Sequence, residues 1–154
     1  MKTLEQAQKI YSRKPDQTSE AKNGDKSIYY FTKLENGLDI RVVYSIDSGS
    51  KKFICDTTIA NLNITSKNYM SIMKKLRSYL KTAVGAKKDA EFCVIDLSNY
   101  DITDYNSKQS AAIFKKLQSG KSMICCTYDF GDELYQLSLE CDSTGDLRYC
   151  IARY

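Results

Sequence analysis

Two blocks of the chain, residues 27–60 and 122–154, set apolar side chains at every second position, and this alternation limits the fold more than any other feature. A period of two belongs to a β-strand that buries one face and wets the other. In the first block SIYYFTKL is followed by Glu35-Asn36-Gly37 and then by LDIRVVYSI. Asn-Gly between apolar runs is a strong hairpin signal. Leu38, Ile40, Val42, Tyr44 and Ile46 share one face of the second run, with Asp39, Arg41, Val43 and Ser45 on the other. A turn at Asp47-Ser48-Gly49-Ser50 leads into KKFICDTTIA and completes an antiparallel three-stranded meander. The second block repeats the plan: SMICCTYDF, a Gly131-Asp132 turn, ELYQLSLEC, the turn DSTGD, and LRYCIARY.

Between the blocks the period changes. Over residues 66–84, Tyr69, Ile72, Met73, Leu76, Leu80 and Ala83 follow the helical i, i+3, i+4, i+7 rule. Thr65 or Ser66 is a candidate cap at its start, and Gly85 the expected residue just past its end. FCVIDL (92–97) reads as a short buried strand, SNYDITDYN as a loop, and residues 106–118 as a second helix closed by Gly120. Ahead of the first block, residues 3–12 read as a short amphipathic helix in which Thr3 and Gln6 form a capping box. The polar run from Pro15 to Lys26 reads as a mobile, irregular connector.

The expected order is α-βββ-α-β-α-βββ: two three-stranded meanders plus one further strand, packed by two main helices. Strands in blocks with few helices indicate an α+β class. A length of 154 residues suits a single domain over 27–154, preceded by the N-terminal helix and connector of 1–26.

Composition then narrows the chemistry. The chain has no histidine, which excludes Ser-His-Asp and Cys-His nucleophilic machinery, histidine general bases and histidine-ligated zinc. Its six cysteines (Cys55, Cys93, Cys125, Cys126, Cys141, Cys150) form no C-x-x-C, and several sit in strand-like apolar runs. They read as reduced, buried small hydrophobes. The neighbours Cys125 and Cys126 are expected on opposite faces of one strand. No run of about 18 apolar residues and no apolar signal core at the N-terminus is present, so a cytoplasmic protein without membrane contact is expected.

Charge is unevenly spread. The net charge of +4 hides an asymmetry: +6 over residues 65–90, from Lys67, Lys74, Lys75, Arg77, Lys81, Lys87 and Lys88 against Asp89, and −4 over residues 91–154, with +2 over the residues before them. At about 100° per residue, Lys67, Lys74 and Lys81 align on a helix face opposite the apolar stripe, flanked by Lys75 and Arg77. Lys87 and Lys88 extend the ridge. Such a surface suits an anionic partner: an acidic protein surface, nucleic acid or nucleoprotein.

Two acidic clusters offer a rival chemistry. Asp96, Asp101 and Asp104 follow a strand end and are candidate Mg²⁺ ligands for a metal-dependent phosphoesterase. Alternatively they belong to a polar loop in which Asp104 or Asn106 caps the next helix. Asp129, Asp132 and Glu133 surround a hairpin turn, whose chemistry accounts for them.

Tyr29, Tyr30, Tyr44, Tyr128, Tyr135, Tyr149 and Tyr154 all fall in expected strands. They suggest either a base-stacking platform or a protein-binding sheet face, including self-association into a homo-oligomer. No motif is specific enough to name a family. In composition alone, the lysine-rich, histidine-free chain resembles phage or mobile-element factors that obstruct a host nuclease or nucleoprotein. The leading expectation is a non-enzymatic binding protein that docks its basic helix on an anionic macromolecule, with no catalytic residue and no cofactor. A phosphoesterase and a small-nucleotide binding or sequestering protein are the alternatives.

Overall fold

Alternation at period two produces strands where the sequence places them, in a computed structural model that describes Leu4 and residues 13–33, 39–46, 48–49, 53–60 and 63–154. Nine strands and two α-helices lie among these residues, a mixed α+β composition in which the adjacent strand pairs described below are antiparallel. The chain divides into two units, Met1–Asn61 with Ala152–Tyr154, and Leu62–Ile151.

In the first unit, β1 (Gln17–Glu20), β2 (Lys26–Lys33), β3 (Asp39–Ile46) and β4 (Phe53–Ala60) are neighbours in that order. Ile28 stands opposite Tyr44 and Tyr30 opposite Val42. This register puts Ile28, Tyr30 and Tyr44 into one small core, with Leu4, Val42 and Cys55 packed against it. The Tyr30 and Tyr44 rings meet edge-on, 6.4 Å apart, a favoured aromatic geometry. On the opposite face Tyr29 and Phe31 stack at 6.5 Å.

The strand β1 corrects the expectation of an irregular connector there. Its four residues are polar and exposed, so no hydrophobic alternation marks them. Backbone pairing with β2, from Gln17 opposite Tyr29 to Glu20 opposite Lys26, makes the strand. Its approach is clamped by Asp16, which accepts from the Phe31 N–H at 2.7 Å and from Arg13 at 2.6 Å. The following turn is tied down by Asp25, which accepts from the Ser48 N–H at 2.7 Å and from Asn23 at 2.9 Å. A short polar edge strand of this kind also resists pairing with other chains. Apart from Leu4, the expected helix over 3–12 lies outside the described residues, as does the Asn36-Gly37 turn.

The second unit holds α1 (Tyr69–Val84), β5 (Cys93–Asp96), β6 (Ile102–Asp104), α2 (Ser110–Gln118), β7 (Ser122–Asp129), β8 (Leu134–Cys141) and most of β9 (Leu147–Arg153). Its strands run β9-β8-β7-β5-β6. The small strand β6 replaces part of the expected loop: Ile102 pairs with Ile95 and Asp104 with Cys93. Ile124 and Cys126 of β7, Leu137 and Leu139 of β8 and Tyr149 of β9 point into one core, and both helices cover it. From α1 come Tyr69, Met73 and Leu80, and from α2 Ile113, Phe114 and Leu117.

The helix ends show local chemistry at work. Neither Thr65 nor Ser66 caps α1; Asn68 occupies the cap position. Its side-chain oxygen accepts from the Thr65 N–H at 2.7 Å and its amide donates to the Asn63 carbonyl at 2.7 Å, so it folds the chain entering the helix. Gly85 ends α1 at φ 72, a left-handed conformation that favours glycine, and its N–H reaches the carbonyls of Lys81 and Thr82. The second helix begins as a 3₁₀ turn, Ser107–Gln109, where Asn106 caps by accepting from the Lys108 N–H at 3.0 Å.

Candidate anion-binding surface

Seven basic residues between 65 and 90 are where the sequence concentrates charge, and the fold sorts them into two groups. Tyr69, Met73 and Leu80 bury one side of α1, which forces Lys74 and Lys75 to the exposed side. Lys67 lies exposed in the turn before the helix, and Lys87 and Lys88 lie exposed beyond Gly85. None of these five makes an ion pair among the described residues.

Arg77 and Lys81 behave differently. The half-buried Arg77 guanidinium donates to the Ala90 carbonyl at 3.0 Å and lies 4.4 Å from the Phe92 ring centroid, a cation–π distance. It also approaches Asp89 at 3.8 Å, while Lys81 reaches the same carboxylate at 3.1 Å. The turn at Gly85 brings Asp89 back along the helix, and both cations are used to fasten it. Thus the expected seven-residue ridge becomes five available lysines around one internally paired group.

The exposed side of α1 carries three hydroxyls between the lysines. Ser71, Ser78 and Thr82 donate to the carbonyls of Asn68, Lys74 and Ser78 at 3.0, 3.1 and 3.1 Å. Their donors are thereby spent on the helix backbone. Tyr79, which neither charge nor periodicity singles out, stands on this side with 74% of its surface exposed. Its absence from the apolar stripe is the one signal the sequence offers: Tyr79 sits four residues after Lys75, on the polar arc.

The acidic candidates do not assemble. Asp96 accepts from the Ser98 N–H at 2.8 Å, and Asp101 accepts from the Asn99 side chain at 2.7 Å. Together they shape the β5–β6 turn, in which Tyr100 takes the left-handed φ of 60. Asp104 lies in β6 opposite Cys93. Among the described residues, no group of three His, Cys, Asp or Glu could hold a metal ion. At the other cluster Asp129 accepts from the Gly131 N–H at 2.8 Å, a turn contact, and Glu133 accepts from the Tyr135 hydroxyl at 2.7 Å. Of the seven strand tyrosines, Tyr30, Tyr44, Tyr128 and Tyr149 are buried and serve the cores.

The charge arrangement has a pH signature. Lys81 beside Asp89 holds its carboxyl below the usual 3.8, with Arg77 adding to the effect. Asp16, Asp25, Asp96 and Asp142 are lowered too, principally by the hydrogen bonds from Arg13, from the Ser48 N–H, from the Ser98 N–H and from Thr144. A carboxylate whose folded pKa is depressed stabilises the fold above its unfolded pKa and loses that contribution as pH falls through the folded value. The melting temperature is therefore expected to stay level from pH 7 to about 5 and to fall below about pH 4. Circular-dichroism melts at stepped pH test this, and a level melting temperature down to pH 2 would contradict it.

No helix among the described residues is long and apolar enough to cross a membrane. No protein-family model, curated protein or solved structure matches the chain, so the functional reading rests on the residues themselves.

Proposed function

We propose that this protein acts by binding, presenting the exposed side of α1 and the lysines that flank it to an anionic macromolecule. One observation carries the reading: Lys67, Lys74, Lys75, Lys87 and Lys88 remain exposed and unpaired among the described residues, while the only acid between residues 65 and 90 is already held by Lys81 and Arg77. Like charges left adjacent on a surface repel one another, and an incoming polyanion relieves that repulsion. Exposed Tyr79 adds an amphipathic ring of the kind enriched at interfaces.

Lysine is a flexible point charge, so this surface suits a phosphate backbone or an acidic protein face better than the bidentate grip of one small anion. The loop aspartates support a turn-forming role more than catalysis, because their oxygens are engaged by nearby N–H groups.

The test is the double variant Lys74→Glu/Lys75→Glu in the full chain, compared with the parent on immobilised heparin and in capture from cell extract with and without nuclease. The variant is expected to elute from heparin at much lower salt and to lose its captured partner, with no change in far-UV circular dichroism. Equal retention of both proteins would remove the basis of the proposal. The nuclease arm separates a nucleic-acid partner from an acidic protein.

A further inference from the structure

Cys93 and Cys125 are 32 positions apart in sequence, yet the register sets them directly opposite each other on β5 and β7. Their sulfurs are 3.3 Å apart, and the Cys93 thiol also lies 3.5 Å from the Cys125 carbonyl oxygen. Opposed residues on antiparallel strands have Cα separations of about 4.5–5.5 Å, inside the range of about 4.4–6.8 Å that a disulfide spans. Closing the bond shortens this contact to about 2.05 Å. Cys126, adjacent in sequence, faces the other way into the core under the helices.

We propose that Cys93 and Cys125 form a redox modification site, closing to a cross-strand disulfide by exchange with a small-molecule disulfide of the glutathione class. The two thiols differ in access, which orders the steps. Cys93 is half-buried, whereas Cys125 is only 4% exposed, so an outside disulfide meets Cys93 first. The Cys93 thiolate attacks one sulfur of the small disulfide, forming a mixed disulfide and expelling one small thiolate. The Cys125 thiolate then attacks the Cys93 sulfur and expels the second. Two protein thiols are oxidised by two electrons, one small disulfide is reduced to two thiols, and the two protons leave with them. Burial, followed by the neighbouring Cys93 thiol, pushes the Cys125 thiol up to about 12. Its own attack is therefore slow until the mixed disulfide stands beside it, which suits a resolving rather than an initiating thiol.

The bond fastens β5 to β7 across the stretch containing β6 and α2. It leaves the lysine surface of α1 untouched, so the inference stands independently of the binding proposal.

The experiment treats the purified full chain with oxidised glutathione and counts thiols after denaturation. The parent is expected to lose two of its six titratable thiols. Its mass should fall by about 2 Da with no retained adduct, the net loss of two hydrogens in the exchange. Non-reducing peptide mapping should link the peptides carrying Cys93 and Cys125, and the oxidised chain should melt at a higher temperature than the reduced one. Cys93→Ser and Cys125→Ser should each lose the internal link, with Cys125→Ser halting at a glutathione adduct on Cys93. A full thiol count in the oxidised parent, a link mapped to any other pair, or a lasting adduct on the parent would each overturn the proposal.

Discussion

Tyr69→Ala is expected to destabilise the second unit by about 3–5 kcal/mol, as large-to-small replacement of a buried aromatic does. Tyr69 is 1% exposed and joins three elements through one side chain and its own backbone. Its ring packs 5.1 Å from that of Phe114, and its hydroxyl sits 2.8 Å from the Ser110 carbonyl oxygen and 2.7 Å from the Ser110 hydroxyl. The Tyr69 carbonyl, in turn, accepts from the buried Tyr149 hydroxyl at 2.8 Å. Truncation therefore opens a cavity between α1 and α2 and also removes the hydroxyl that the half-buried Ser110 carbonyl and hydroxyl had as a partner. Burial pushes the Tyr69 hydroxyl up to about 12, so it stays a neutral hydrogen-bonding group across the physiological range. Tyr69→Phe keeps the ring and gives up only the hydroxyl's hydrogen bonds, at a cost of about 0.5–1.5 kcal/mol. Tyr79→Ala, on the exposed side of the same helix, should fall within about 0.5 kcal/mol of the parent. Urea unfolding followed by circular dichroism ranks the three. Equal midpoints for Tyr69→Ala and Tyr79→Ala would show that Tyr69 does not link the helices.

A fold whose total stability is about 5–15 kcal/mol depends on such buried side chains, and that dependence is why the core elements are legible from sequence. Helix α1 and the hairpins of both blocks announce themselves because their apolar side chains must repeat with the period of the buried face. Gly85, Gly120 and Asn106 are readable for a similar local reason, since helix ends demand particular backbone conformations and side-chain oxygens. The strands β1 and β6 escape notice because every one of their residues is exposed. Nothing in their side chains records a buried face; only the backbone of the neighbouring strand makes them strands.

The exposure of the candidate residues is legible to the same extent, and their pairing is hidden for a related reason. A helical wheel puts Lys74 and Lys75 on the exposed side of α1, where the structure has them, but it treats Arg77 and Lys81 as equals of those lysines. Their pairing with Asp89 depends on the path of the chain after Gly85, which no wheel contains. Likewise, the strand period already puts adjacent Cys125 and Cys126 on opposite faces, but only the β5–β7 register joins Cys125 to Cys93. Contacts within one element follow from period; contacts between elements follow from register and turns.

The salt dependence of polyanion binding turns this sorting of charges into a number. Each lysine that neutralises a duplex phosphate contributes about −0.9 to the slope of log K against log salt, through release of bound counterions. If the five available lysines all engage a DNA duplex, the slope is about −4.5, and affinity falls about 500-fold between 50 and 200 mM salt. Were Arg77 and Lys81 also engaged, the slope would be about −6.3 and the loss about 6,000-fold. Fluorescence anisotropy with a labelled duplex across that salt range separates the two cases. The expected slope is the shallower one, because recruiting Arg77 would mean giving up its contacts to Ala90, Phe92 and Asp89. Lys74→Glu/Lys75→Glu should make the slope shallower by about 1.8, because two phosphates then keep their counterions. Lys81→Gln, in contrast, should leave the slope unchanged while releasing Asp89 from its nearest cation. A slope near zero in the parent would remove the DNA duplex as the partner of the lysines around α1 and leave the acidic protein face as the anion they meet.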